Sequence, residues 1–532
     1  MTDPVDPTFD PLRDRVVRAA RIHTLDPDLG TVDAVAVRGG RILAAGSLDE
    51  VRARAASDAE LVDLGDVTVT PGFHDAHVHL GMHSIERAQV DLAGTTSFAE
   101  AIDLLRGRAD ATPPGDWVLG TGFALQRWGE RHPDRAALDA GVPAHPVLLL
   151  SQDHHSGLVN GAALERAGVH AGTPDPDGGV IVRRDDGTPT GLLLERAVGL
   201  VADAVPRPDP ETLRTILEEG ARSLAALGIT TVHHMAYEAA ENARAIGLAA
   251  SDEGFPLRVW ACLMEEQIEA ARGLGLATGQ GGGRYRLGGA KFFVDGALGS
   301  LTAWMLEPYL GGDDRGIVLT PPERLTERVA AAIDAGLTPV THAIGDAAVR
   351  AVTDAYEATA PAWRAAGLLP RVEHAQHVHA DDVARLARLG VVVSMQPLHL
   401  TFDAPTIHES LADREARAYP VRRLVEGGAI LAFGSDTPVA PADVAGSLRA
   451  ALDRTGLQGL RVAPSEAIDA RTAVAAYTLG AARAIGRQGR SGVLRPGADA
   501  DLAAWSHDPT VGVPDGFAAR ATVLAGRLTH RA

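Results

Sequence analysis

The chain has 532 residues, 45% hydrophobic and 22% charged, which suits a globular protein and excludes fibrous, collagen-like and wholly disordered classes. A net charge of −19 argues against a nucleic-acid partner, which needs a basic face. The single cysteine, Cys262, rules out an intramolecular disulfide and a cysteine-based zinc cluster, and is expected to be a small buried hydrophobe at a strand end.

The opening MTDPVDPTFD is proline-rich and acidic, without periodicity. It reads as a disordered lead-in and lacks the basic and apolar regions of a signal peptide. From Val16 to Gly46, short apolar runs are punctuated by Asp-Pro, Leu-Gly and Gly-Gly, which is β texture with tight turns. The same texture returns from Ser491 to the end, so the two ends of the chain are expected to pair into one small sheet domain. Between Thr68 and about Arg487, β-branched or apolar runs alternate with Ala/Leu/Arg/Glu-rich helical stretches such as 325–336 and 380–390. Strands are predicted at TVTPGF (68–73), 228–234, 256–263, 285–296, 337–342, 369–374, 390–397 and 428–436. Eight parallel strands with helices between them predict an α/β fold, the (β/α)8 TIM barrel. The first two strands stand about 150 residues apart, far more than a barrel connection needs. That interval predicts an inserted α+β subdomain over about 82–220, above the C-terminal face of the barrel. The expected domains are thus 1–66 and 488–532 for the sheet and 67–487 for the barrel with its insertion. No apolar stretch approaches the roughly 18 residues of a membrane helix. The expectation is a soluble cytoplasmic protein with a small-molecule substrate and neither nucleic acid nor membrane as partner.

The sharpest local feature is PGFHDAHVHL, where His77 and His79 stand two apart. On a strand this spacing turns both imidazoles to one face, a good start for a transition-metal site. His74 falls on the opposite face; Asp75 shares theirs and is expected to orient one imidazole. Other predicted strand ends add His342 in VTHAIGD, His374 in VEHAQHVH and Asp436 in FGSDTPV, while Lys291 lies in AKFFVDGALGS. At the C-terminal ends of barrel strands these residues would all face one mouth. His233 and His234 also lie near strand ends and are not expected to be ligands; His377 is expected to be exposed or to sit behind the ligands.

The combination PGFHDAHVH, KFFVDGALGS, THAIGD, VEHAQ and FGSDTPV resembles the amidohydrolase superfamily, and more narrowly amidohydrolase family 3, the branch containing N-substituted formamide deformylases. The resemblance covers nearly the whole chain and implies that the terminal sheet is a small β-sandwich. It implies a divalent metal cofactor, two Zn2+ per chain: His77 and His79 on the more buried ion, a carboxylated Lys291 bridging both, His342 and His374 on the second, and Asp436 touching the first ion and the attacking water. An uncarboxylated lysine is a donor only and cannot ligate. The alternative for Lys291 is a buried ion pair with Asp295 or another acid. Within the insertion, SQDHHSGLVN (Asp153, His154, His155, Asn160) is similar to a family segment that usually reads Asp-Gly-His followed by Asn. His155 matches its histidine and is a candidate for stabilising the oxyanion, whereas His154 replaces a small residue. Glu195 matches a recurrent family acid, and Trp128 is a candidate pocket wall or, as a large aromatic, core.

The implied activity is hydrolysis of a non-peptide carbon–nitrogen bond, such as that of an N-substituted formamide, by metal-activated hydroxide, with Asp436 carrying the proton to the leaving nitrogen. Deamination of a ring amidine and hydrolysis of a carbamate or ester are the alternatives on the same chemistry. A non-catalytic metal-binding regulatory protein is the remote one. A homodimer is expected by analogy.

Overall fold

The structure is a computed structural model that describes residues 13–129, 133–152 and 155–532. Most of the expected lead-in, together with Asp153 and His154, lies outside the described residues. By its internal contacts the chain divides into two compact units: residues up to Gly81 with Leu217–Ala532, and Met82–Ile216.

The first unit contains the barrel. Its strands are Phe73–Val78, Ile229–His234, Arg258–Met264, Tyr285–Phe293, Pro339–Ala343, Arg371–His374, Val392–Met395 and Ile430–Phe433, each parallel to the next in chain order. They are buried almost throughout, as near-continuous apolar runs in a parallel sheet require. The sheet comes round on itself where the eighth strand ends. The Asp436 amide donates to the His77 carbonyl (2.7 Å), the His79 amide donates to the Thr437 carbonyl (2.9 Å), and Val78 pairs with Thr437 in parallel. Closure therefore occurs at the rim that carries His77, His79 and Asp436.

The intervening helices show the expected amphipathicity. In Ala380–Leu389, Val383, Leu386 and Leu389 form the buried stripe, the His379 side chain accepts from the Asp381 amide at the start, and Gly390 ends the helix at φ +72°. The left-handed C-terminal residue is what glycine supplies at no steric cost. Among the described residues no helix is long and apolar enough to cross a membrane.

Both chain ends meet in one eight-stranded sheet, in the order Arg527–Arg531, Ala519–Leu524, Leu502–Trp505, Thr68–Pro71, Arg15–His23, Thr31–Arg38, Arg41–Gly46, with Glu60–Asp63 also paired to Arg15–His23. Here one expectation is corrected. The run TVTPGF is not a single barrel strand: Thr68–Pro71 pairs with Leu502–Trp505 in the terminal sheet, and the barrel strand begins at Phe73. The chain changes sheets at Gly72, where a Cβ would stand 2.3 Å from the Thr230 side chain, so only glycine passes. His77 consequently lies within the first strand rather than beyond it.

The second unit, Met82–Ile216, falls between the first and second barrel strands. Its six-stranded sheet runs Gly179–Arg183, Pro189–Glu195, Ser156–Val159, Val147–Ser151, Val118–Phe123, Val90–Asp91. Its core includes Phe98, Leu105, Phe123, Leu149 and Trp128.

Candidate metal centre

Strand geometry brings the first-strand histidines to the end of the eighth. Nε2 of His77 and Nε2 of His79 each lie 3.3 Å from Asp436 Oδ1, all three side chains being buried. The His374 ring, at the end of the sixth strand, lies 4.7 Å from the His77 ring, and the His342 ring, from the fifth, 4.5 Å from that of His374. Among the described residues, His77, His374 and Asp436 offer donor atoms within 4.8 Å of one another. Asp436 and His374 hold positive φ, +63° and +73°. Such backbone is uncommon outside glycine and is characteristic of sites where the fold over-determines a conformation.

Each of three imidazoles has one nitrogen committed to an acceptor, which fixes its tautomer. Nδ1–H of His77 donates to Glu373 (2.7 Å), Nδ1–H of His374 donates to Gln396 Oε1 (2.8 Å), and Nε2–H of His342 donates to the Gly296 carbonyl (3.0 Å). The opposite nitrogen of each ring therefore presents a lone pair, as a metal ligand must. Glu373 is in turn gripped by both ends of the Arg371 guanidinium (2.9 and 3.2 Å), with both side chains fully buried. Arg371 also donates to His233 Nδ1 (2.9 Å), so His233 is a structural acceptor and not a ligand.

The electrostatics hold these groups in ligating form. Burial would raise the Asp436 and Glu373 carboxyls. The proximity of the His77, His79 and His374 imidazoles to Asp436, and the Arg371 charge with the His77 N–H at Glu373, outweigh it and keep both well below the usual carboxylate range. Burial, assisted by the Lys291 charge, pushes His77 down to about 4 and His342 to about 3. Among the described residues Asp436 Oδ1 accepts no hydrogen bond, despite its two imidazole neighbours. A lone pair on His77 facing a carboxylate oxygen at 3.3 Å is repulsive unless a positive charge lies between them. The donor set thus fits a cation.

Lys291, on the fourth strand, is buried, and its Nζ has no hydrogen-bond acceptor among the described residues; it lies 5.0 Å from the Phe293 ring centroid. The ion pair with Asp295 does not form. That carboxylate instead accepts the backbone amides of Trp304 (2.9 Å), Ile344 (3.0 Å) and Gly345 (2.8 Å). Burial lowers the Lys291 pKa, and the neutral amine it favours is the form that reacts with carbon dioxide.

Other expectations need correcting. Asp75 orients no imidazole; it accepts the amides of Ser435 (2.8 Å) and His77 (3.2 Å) and so clamps the first strand to the loop after the eighth. Of the two placements expected for His377, burial excludes the exposed one. Trp128 is no open wall: it stacks on Phe98 (5.3 Å) and Phe123 (5.1 Å), donates to Thr95 Oγ1 (2.9 Å) and belongs to the core of its unit. Asn160 caps the helix Gly161–Arg166. His155 and Glu195 pair at 2.9 Å, 61% and 57% exposed, within the second unit. His234 accepts from the Leu80 amide (3.3 Å), and Cys262 is buried. Three partners were not foreseen. Arg371 and Glu373 alternate with Val372 in what reads as a core strand, and two charges at buried strand positions are the signal that marks them. The third is His399, whose Nε2 lies 3.7 Å from Asp436 Oδ2.

The depressed histidines imply an acid-labile fold. Burial takes His74 to about 3 and His377 to about 4, beside His77 and His342. These groups bind fewer protons folded than unfolded, where their pKa is near about 6.5. Their contribution is therefore fully present above about pH 6.5 and is lost as pH falls towards 4. Urea titrations of metal-free protein from pH 7 to pH 4 should show unfolding free energy falling steadily; a flat profile would contradict the buried, neutral imidazoles.

A barrel carrying histidines from the first, fifth and sixth strands, a fourth-strand lysine and an eighth-strand aspartate defines a class, and comparison with known sequences agrees. Residues 60–530 match the amidohydrolase family, and the chain belongs to it, within amidohydrolase family 3. The chain is 33% identical over 511 residues to Protein LONG AFTER FAR-RED 3 of Arabidopsis thaliana, covering 92% of this chain and 86% of that one. It is 29% identical over 518 residues to N-substituted formamide deformylase of Arthrobacter pascens, 94% of each. Among solved structures, an uncharacterized metal-dependent hydrolase from Pyrococcus horikoshii OT3 superposes with a TM-score of 0.79 at 26% identity, over 94% of this chain and 99% of that one.

Proposed function

We propose that the protein hydrolyses a non-peptide C–N bond, that of an N-substituted formamide or related amide. The observation that carries this is the convergence of His79 and of His77, whose Nε2 presents a lone pair, on an Asp436 oxygen that accepts no hydrogen bond among the described residues. In this reading His77, His79, His342, His374, Asp436 and a carboxylated Lys291 would hold two divalent ions, for which zinc is the choice the family resemblance implies and the imidazole and carboxylate donors accept. Bound there, the metal would supply Lewis acidity and lower the pKa of water towards neutrality.

The remaining steps belong to the chain. Water adds to the amide carbon while a carboxylate oxygen of Asp436 takes its proton. That proton then passes to the nitrogen as the C–N bond breaks, leaving a carboxylic acid and an amine. Glu373, itself held by Arg371, keeps the His77 lone pair aimed at Asp436. Tyr237, 60% exposed, lies 6.4 Å from the His79 ring and 5.1 Å from that of Phe293. It offers an apolar wall for the substituent on nitrogen.

Two measurements follow. A panel of N-alkyl and N-aryl formamides, acetamides, ring amidines and carbamates, followed by mass spectrometry, should show amine release from the amides; ammonia release from the ring amidines alone would replace this reading with deamination. Tyr237→Ala should raise KM for N-benzyl substrates about tenfold and leave N-methyl substrates nearly unchanged, the scale of one lost apolar contact. Equal effects on both would remove Tyr237 from substrate recognition.

A further inference from the structure

Away from the metal centre, at the end of the barrel where the strands begin, a small cavity is lined by His74 of the first strand, Arg258 at the start of the third, Arg284 and Arg286 at the start of the fourth, and Arg487 and Ser491 beyond the last helix. Four arginines line it and no carboxylate does. Arg258 is neutralised by a bidentate pair with Asp501 (2.7 and 3.0 Å), and Arg487 pairs with Asp499. Among the described residues Arg286 donates only to the Gly279 carbonyl (3.1 Å). Arg284 is 9% exposed, and its guanidinium has neither a hydrogen-bond acceptor nor an ion-pair partner among the described residues, with Nη1 wholly enclosed. Burial and the Arg258 charge push its pKa down to about 10. A buried cation without a counter-charge is costly, and a guanidinium cannot relieve the cost by accepting a hydrogen bond.

The neighbouring hydrogen bonds add a neutral donor. Arg371 donates to His233 Nδ1, so His233 carries its proton on Nε2 and gives it to His74 Nδ1 (3.4 Å). His74 therefore donates from Nε2 to Ser491 Oγ (2.7 Å), which leaves the Ser491 hydroxyl proton for another acceptor. The cavity, of about 30 Å³, is thus a set of donors around a net positive charge with space for about two waters or one tetrahedral anion.

We propose that this cavity binds one oxyanion of phosphate or sulfate size, held by Arg284 and Arg286 with the Ser491 hydroxyl, and that the anion is the missing counter-charge of Arg284. Charge-assisted bonds to a planar guanidinium are the usual means of recognising such groups. The site is distinct from the metal centre, which lies where the strands end.

Calorimetric titration of metal-loaded protein with sulfate, a weak metal ligand, tests this. One saturable site per chain is expected, weakened at least about tenfold by Arg284→Met and unchanged by Asp436→Asn. Should Arg284→Met fold poorly by circular dichroism, Arg286→Gln at the half-buried rim is expected to weaken binding about threefold or more. No saturation up to about 10 mM, binding that survives both arginine variants, or binding lost with Asp436→Asn would overturn the proposal. Methyl phosphate and inorganic phosphate, run in parallel, separate the sources: equal affinity admits the head of a phosphate monoester, and loss with the ester confines the site to the free anion.

Discussion

Asp436→Asn is expected to lower kcat by about 10³-fold with little change in fold, the loss typical of removing a general acid–base group. Asparagine keeps the shape and the hydrogen-bonding reach of the side chain. It is also, with aspartate and histidine, among the residues that best tolerate the left-handed backbone held at this position, φ +63°. What it removes is the ionised oxygen 3.3 Å from both His77 and His79. That oxygen is held ionised through the acid range because the imidazoles around it outweigh its burial. Far-ultraviolet circular dichroism should be unchanged while steady-state turnover falls. A variant retaining more than about a tenth of wild-type kcat would show that another group moves the proton. His399, 3.7 Å from the other carboxylate oxygen, would then be the first candidate.

Lys291→Met should act in opposite directions on stability and on activity. In the metal-free protein the Lys291 amine is buried, without an acceptor among the described residues, and its supposed partner Asp295 is occupied by three backbone amides. Methionine fills similar volume without the unsatisfied polar group, so the metal-free variant should be more stable by on the order of 2 kcal/mol. The same substitution removes the lysine that, carboxylated, is proposed to help hold two ions. Metal content should fall, and activity should drop at least about 100-fold. A lysine with a purely structural role predicts the reverse: lower stability on substitution and metal content unchanged. Thermal unfolding of chelated protein and metal analysis of loaded protein distinguish the two.

Much of this architecture is legible in the chain because parallel barrel strands are short apolar runs that end abruptly in polar residues. The runs before His342, His374 and Asp436 have that form, and the structure brings all three to one rim with His77 and His79. Where the sequence misleads, a second sheet competes for the same residues. Thr68–Pro71 has the composition of a barrel strand, yet its hydrogen bonds go to Leu502–Trp505, more than 400 positions away, and no local pattern encodes that choice. The supports of the site are also hidden. Parity along the strand places Asp75 beside His77 and His79, but parity says nothing about the eighth-strand loop whose amides capture it. Glu373 and Arg371 orient His77 from five strands away. Trp128 illustrates a different limit: a large aromatic in an α+β segment serves a wall or a core equally well until its neighbours Phe98 and Phe123 are known.

The most direct test is to strip the protein with a chelator and measure bound metal by mass spectrometry together with amine release from an N-substituted formamide as Zn2+ is returned in steps. Activity should be absent in the stripped protein and rise with bound metal to a plateau near two ions per chain, a plateau that His77→Ala and His374→Ala do not reach. Undiminished turnover by stripped protein, or full metal binding by those two variants, would contradict a metal-dependent hydrolase centred on these residues.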